Sequence, residues 1–359
     1  MKGDRTIGAL LLCLALAVSG CGPELRRPSV QTAAVDRESE RQMEMALDLW
    51  FGRSERLQRV AWRLLTKGAP LCGDAVGPGF GLGWMDSEAL PERFRRVARK
   101  SFGIDSKPRV RGLVPGSPAA RAGLEDGDEI TAVDGHGVTS AREVSEAMAG
   151  LSGNSLSLTV MTAGGKHRVV LEGASRCSYP VDLSLSDAIN AFADGRRIGI
   201  TTGMMRFVES DDELALVVGH ELAHNVSSHI DKQQANTLTG ILLGALVDAG
   251  AASAGVDTGG VGRELGGRMG QGVYSKDFES EADYLGCYFS ARAGYDIAPA
   301  TLMWRRMAAE HPSSISGGGF LASHPATSER AVALERTVEE IRLKQRRGDG
   351  LVPERLTSD

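Results

Sequence analysis

The stretch VVGHELAHNVSSHI, residues 217–230, sets two histidines four apart with a glutamate directly after the first. That spacing serves a joint purpose only on a helix, where His220 and His224 project about 40° apart at 100° per residue. The flanking residues support a helix. Ser210 or Asp211 can cap it, acidic residues fill its first turn, and no proline interrupts it. Neutral imidazoles so placed can chelate one Zn²⁺, with Glu221 acting on a water at the metal. The bland alternative is two histidines satisfied at a helix surface.

His229 lies about 140° beyond His224, so it cannot join the pair as a ligand unless the helix breaks. The longer HExxHxxGxxH pattern fails, because Ser227 and Ile230 stand where its glycine and third histidine belong. A catalytic zinc takes three protein ligands and keeps one position open, so a third must come from elsewhere. YSKDFESEADYLGCYFSARAGYD, residues 274–296, supplies Asp277, Glu279, Glu281 and Asp283 at helical spacing. Glu279 and Asp283 share a face, which suits a ligand and the group that orients the site. Glu279 is therefore the expected third ligand. Asp283 is the expected acceptor for the remaining N–H of one zinc histidine, and Glu281 is expected in solvent.

Residues 101–172 change texture, with short alternating strands and two short helices punctuated by PGSPA, AGLEDGD and DGHG. The segment resembles a PDZ domain of the bacterial secreted-protease type. Such a domain implies strand addition of a peptide, whose terminal carboxylate is caught by backbone N–H groups. Phe102, Gly103 and Ile104 are expected at the carboxylate loop. Val144 and Met148, on the helix of SAREVSEAMAG, are expected as the other groove wall, unless they merely pack the core. Upstream, residues 36–67 read as a helix with Leu57, Val60, Ala61, Leu64 and Leu65 on one face. Residues 238–272, rich in Gly and Ala, read as a mobile loop or loose amphipathic helix beside the site. Asp248, Asp257 and the glycines argue against a membrane span there, and a membrane-surface contact is the second choice.

The N-terminus has a basic start and a short apolar stretch ending in VSGC, which resembles a bacterial lipobox with Cys21 as the lipidated residue. Cys72 and Cys177 flank the PDZ-like segment in loops and are expected to form a disulfide at its base. Cys287 reads as a buried apolar residue. A net charge of -5 gives no reason to expect nucleic acid.

HELAH at 220–224, ESEAD at 279–283 and SHPATSER at 323–330 resemble the HtpX-type gluzincin metalloproteases. That family includes the CAAX prenyl endopeptidases and the periplasmic β-barrel-assembly-enhancing proteases. The likeness covers roughly residues 177–340. It implies one Zn²⁺ per chain on His220, His224 and Glu279, with Glu221 as base. It also brings His324, Arg330 and Tyr274 forward as oxyanion donors, with His324 alternatively filling the open zinc position. Lys276 stands where the family commonly has arginine. The lipoprotein branch fits better than the multi-span branch.

The expected fold is α+β. A mainly helical zincin domain with a small sheet (174–345) carries a β-rich PDZ domain (101–173) inserted near its N-terminal side. A signal peptide (1–20), a linker and packing helix (21–100) and a C-terminal tail (346–359) complete it. The expected protein is a zinc endopeptidase acting on polypeptides, taken in part through their C-termini. It would face the periplasm from a lipid anchor in the outer membrane. A PDZ-bearing adaptor or chaperone on a protease scaffold is the alternative, and a purely structural zinc site fits poorly because one coordination position stays open.

Overall fold

The computed structural model describes residue 25 and residues 28–162, 164–253, 256–272, 275–310, 324 and 327–355. The signal segment, Cys21 and Tyr274 lie outside them. The chain divides into two units, Met1–Met43 and Glu44–Asp359. Helix α1 runs from Thr32 to Gly68. In the first unit its described turns are largely exposed, with the Gln42 amide bonded to Glu38 at 3.3 Å. In the second unit it buries Leu57, Val60, Ala61, Leu64 and Leu65 in the main core, as expected of an apolar stripe at helical spacing.

The second unit is α+β. Strand β1 (Val76–Gly79) pairs antiparallel with β8 (Ala174–Cys177). This two-stranded stem brackets the PDZ-like segment, and a Cys72–Cys177 disulfide ties its base across 105 residues. Closing a loop of that length contributes on the order of 4–5 kcal/mol through the unfolded chain. Between the stem strands lies a six-stranded sheet of β2 (Gly83–Met85), β3 (Arg109–Arg111), β4 (Glu129–Val133), β5 (His136–Gly137), β6 (Ser155–Thr162) and β7 (Gly165–Glu172). Its order is β2-β3-β4-β6-β7, with β5 paired to β4. Alternation in SLSLTVMT turns Leu156, Leu158 and Val160 into a separate core with Val110, Ile130 and Leu171. The sheet starts at Gly83, inside the stretch read as linker. Helices α2 (Glu92–Phe102), α3 (Pro118–Arg121) and α4 (Ala141–Ala149) complete this part. Asp86 anchors it by accepting from the backbone N–H of Ala141 at 2.7 Å.

After the stem, β9 (Val181–Ser184), β10 (Ala191–Ala193) and β11 (Ile198–Thr201) form a small sheet in the order β10-β11-β9. The sequence pattern of SLSDAINAFADG suggests a helix, and the structure has an extended chain instead. Asp194 turns it by accepting from the N–H groups of Arg196 and Arg197, both at 2.9 Å. RIGITTGM forms β11, the middle strand, so the open edges of this sheet are β10 and β9.

Seven helices follow among the described residues: α5 (Thr202–Phe207), α6 (Asp211–Val226), α7 (His229–Ser253), α8 (Val261–Gly272), α9 (Ser275–Arg292), α10 (Pro299–Glu310) and α11 (Ser328–Arg347). Helix α6 is buried from Glu213 to Asn225. It crosses α9 with backbones in contact. A Cβ at Gly219 would lie 2.7 Å from the carbonyl oxygen of Gly286, and one at Gly286 would lie 2.9 Å from the His220 nitrogen. Two glycines at the crossing thus let the helix bearing His220 and His224 approach the helix bearing Glu279.

Candidate metal centre and peptide groove

Helix α6 is fixed at its start by Ser210, whose hydroxyl accepts from the Glu213 N–H at 3.1 Å. The Glu213 carboxylate returns to the Glu209 N–H at 2.8 Å and takes two bonds from Arg306. Two turns on, His220 Nε2 and His224 Nε2 stand 3.1 Å apart. Glu279 brings Oε2 to 3.5 Å of the first and Oε1 to 3.4 Å of the second. His324 Nδ1 stands 3.2 Å from His220 Nε2 and 3.0 Å from the Glu279 oxygens. All four side chains are buried, and their ligand atoms lie within 4.8 Å of one another. Bonds of the length usual for zinc, arranged as a tetrahedron, require corners roughly 3.3 Å apart.

The outward nitrogens explain why lone pairs converge inside. His220 Nδ1 meets Asp283 Oδ1 at 3.0 Å. His224 Nδ1 meets His229 Nδ1 at 3.0 Å, and His229 Nε2 meets Glu281 at 3.2 Å. With N–H groups donated outward, both Nε2 atoms present lone pairs to one point. Burial alone would push His220 down, but its bonds to Asp283 and Glu279 outweigh that and raise it to about 9. Burial, then the His220 charge, push His224 down to about 2. Burial opposes ionisation of Glu279, and bonds from His220 and His324 hold its carboxyl well below the usual range.

These residues fit a divalent cation. Glu221, Glu279 and Asp283 are buried against one buried guanidinium, Arg330. With both imidazoles neutral, as metal ligation requires, two negative charges are left once Glu221 is ionised, which such an ion neutralises. Both oxygens of Glu221 are buried without a hydrogen-bond partner among the described residues, and burial raises its pKa. A cleft of about 680 Å³ opens over Glu221, His224, Glu279 and Phe192 and Ala193 of β10.

Arg330 departs from the role of oxyanion donor. Its Nε and Nη2 bond the Asp283 carboxylate at 2.7 and 2.8 Å, and Nη1 meets Glu279 Oε2 at 3.1 Å. The side chain holds two carboxylates in place. His324 belongs to the same cluster as the two helix histidines and Glu279, with Nε2 3.6 Å from Glu221. Sequence spacing missed His229, and here the geometry depends on a backbone break. Helix α6 ends at Val226, Ser228 adopts φ +52°, and α7 restarts at His229. His229 thus folds back behind His224, outside the ligand set. Glu281 is exposed, as expected, and from there also bonds His229 and Ser227.

The residues expected at the carboxylate loop sit at the end of a helix. Phe102 ends α2 and Gly103 caps it in the left-handed conformation at φ +66°, while Ile104 is buried. The glycine loop that leads into an edge strand is Gly81–Leu82–Gly83, before β2. Val144 is core, and Met148 lines a cleft of about 590 Å³ with Trp50, Trp62, Arg111 and Arg176. Trp84 Nε1 donates across it to the Ser145 hydroxyl at 3.0 Å. The Trp50 Nε1 and Arg111 Nε donors of cleft-lining residues are buried without an acceptor among the described residues.

Comparison with known proteins agrees with this architecture. Residues 166–338 match Peptidase family M48 and residues 109–161 match a PDZ domain. Mitochondrial metalloendopeptidase OMA1 of Schizosaccharomyces pombe is 26% identical over 193 residues, 51% of this chain and 54% of that protein. The beta-barrel assembly-enhancing protease of Yersinia pestis is 26% identical over 174 residues, 46% of this chain and 36% of that protein. Its Escherichia coli counterpart is 26% identical over 152 residues, 40% of this chain and 31% of that protein. The chain thus spans between about a third and about half the length of these relatives. Taken together, the chain carries a peptidase family M48 domain joined to a PDZ domain.

Proposed function

We propose that this protein is a zinc-dependent endopeptidase of a bacterial cell envelope, held at the outer membrane by lipid on Cys21. The observation that carries this reading is the convergence of His220, His224 and Glu279 beside the buried carboxylate of Glu221. One zinc per chain on those three side chains would supply Lewis acidity to the scissile carbonyl and to a water.

The protein's own groups do the rest. Glu221, its pKa raised by burial, takes the water's proton and returns it to the leaving amine. Asp283 and His229 hold the two imidazoles by their outer nitrogens, and Arg330 holds Asp283 and Glu279. An extended substrate pairs along β10, the open edge beside Glu221. His324 Nδ1 stands against His220 Nε2 and the Glu279 oxygens, where a substrate would approach a bound metal, so His324 would have to move away for cleavage and this arrangement would be a resting form. The PDZ cleft receives the C-terminus of a polypeptide along β2, with Arg111 and Arg176 supplying positive charge and Gly81–Gly83 supplying backbone donors.

The names of the relatives, a mitochondrial metalloendopeptidase and beta-barrel assembly-enhancing proteases, support an envelope or membrane setting. The test is Glu221→Gln, which should abolish cleavage of an unfolded protein such as casein while metal content stays at the wild-type level. Retained cleavage would sink the proposal, and unchanged cellular function without cleavage would favour the adaptor reading.

A further inference from the structure

Helices α7 and α8 form a hairpin inserted between the two halves of the metal centre. Helix α7 starts at His229, which bonds His224, and α8 ends at Gly272, seven residues before Glu279. The two helices pack through small residues. Gly240 faces Gly266 and Gly244 faces Gly262, each so close to the opposite backbone that a methyl group has no room. Close packing along glycines four apart is the contact that holds helices together where no hydrophobic effect drives them, as in lipid.

Away from that stripe α7 is apolar. Leu238, Ile241, Leu242, Leu243 and Leu246 are exposed, at up to 70% for Leu246. At 100° per residue they wrap roughly 200° of the circumference. A helix with so wide an apolar arc belongs against a protein core or a membrane. This one is neither core nor N-terminal signal. Its one acid after Lys232 is Asp248, and that carboxylate turns inward. It accepts from the Thr258 hydroxyl at 2.6 Å and from the N–H groups of Gly262 and Arg263 at 2.8 and 3.0 Å. Asp248 therefore caps α8 and does not interrupt the apolar surface, contrary to the sequence expectation.

Helix α8 continues that surface with Val261, Leu265 and Met269, all more than half exposed. Arg268 borders this stripe with an exposed side chain that also pairs with Glu264, while Arg263 lies on the opposite face beside Asp248. Leucines exposed on one helix, with a long basic side chain, Arg268, at the border of the apolar stripe on the other, match a helix pair lying in a lipid–water boundary. A second protein copy would cover one face of the hairpin and leave the rest of the 200° arc wet.

We infer that the 229–272 hairpin docks into the headgroup–hydrocarbon boundary of a phospholipid bilayer and holds the metal centre against that surface. Vesicle docking stands independently of the protease reading. Only the consequence that cleavage occurs in polypeptide segments close to a bilayer rests on it.

The test uses the full chain with Cys13→Ser and Cys21→Ser, so that no acyl chain contributes, and a fluorophore on Leu243→Cys. Vesicles of phosphatidylcholine, with and without phosphatidylglycerol, carry brominated acyl chains as quenchers. The label at residue 243 should be quenched, and the same label on Arg142→Cys, exposed in the PDZ part, should not. Adding Leu242→Lys and Leu246→Lys should weaken quenching about tenfold or more while metal content is unchanged. Glu221→Gln should be quenched like the parent. An unquenched label at 243, or equal quenching after the lysine substitutions, overturns the inference. So does a dimer that the lysines dissociate while the label stays unquenched, because the face would then join two copies. Loss of casein cleavage in the parent with quenching intact would instead strike the protease reading alone.

Discussion

Replacing Arg330 with glutamine tests how the metal centre is supported. Three guanidinium nitrogens lie 2.7, 2.8 and 3.1 Å from carboxylate oxygens of Asp283 and Glu279, and all three side chains are buried. Removing one partner from a buried pair leaves charge uncompensated and typically costs about 3–5 kcal/mol. With a urea dependence of about 3 kcal/mol per molar, that loss moves the unfolding midpoint down by roughly 1–1.7 M. The same change frees Asp283, which holds the His220 Nδ1, and loosens Glu279. Loss of such supporting bonds weakens metal binding about 10- to 100-fold. Urea unfolding of the metal-free variant isolates the structural loss, and zinc titration against a chromophoric chelator reads the second effect. Arg330→Lys should recover little, because a point charge cannot reproduce the two-pronged contact with Asp283. A glutamine variant with a midpoint within about 0.3 M of wild type and unaltered zinc affinity would refute the reasoning.

Other outcomes follow from the same geometry. His324→Ala should raise basal peptide cleavage while zinc remains on the other three ligands, and a joint fall in metal and activity would contradict the closed resting form. Metal-free protein should lose stability as pH rises. The His220 pKa is about 9 when folded against 6.5 for the free side chain, so its contribution is complete below pH 6.5 and gone above about 9. Tm measured across that window should fall more in chelator-treated protein than in zinc-loaded protein, where the imidazole stays neutral. A flat metal-free profile would count against the His220–Asp283 assignment.

The parts of this protein legible in its sequence are those governed by short periods. HELAH announced a shared helix face because four residues nearly complete a turn, and Glu279 with Asp283 followed by the same rule. Alternation in SLSLTVMT and the glycine turns announced the PDZ sheet. What escaped depends on backbone events or distant partners. His229 reaches His224 only because Ser228 takes a positive φ and ends the helix. The glycine loop of the PDZ groove was sought after α2, whereas the edge strand it serves lies before that helix, against tryptophans of α1. Asp248 read as a polar interruption because its partners, Thr258 and the start of α8, become neighbours only once the hairpin closes. The extended chain at 186–193 is set by Asp194 and Thr201 contacts that local propensity does not contain.

Metal content of purified wild type beside Glu279→Ala is the most direct probe of the centre. The account predicts about one equivalent of zinc in the wild type and almost none in the variant, since three protein ligands fall to two. Equal metal in both, or a wild-type protein that takes up no divalent ion, would contradict it.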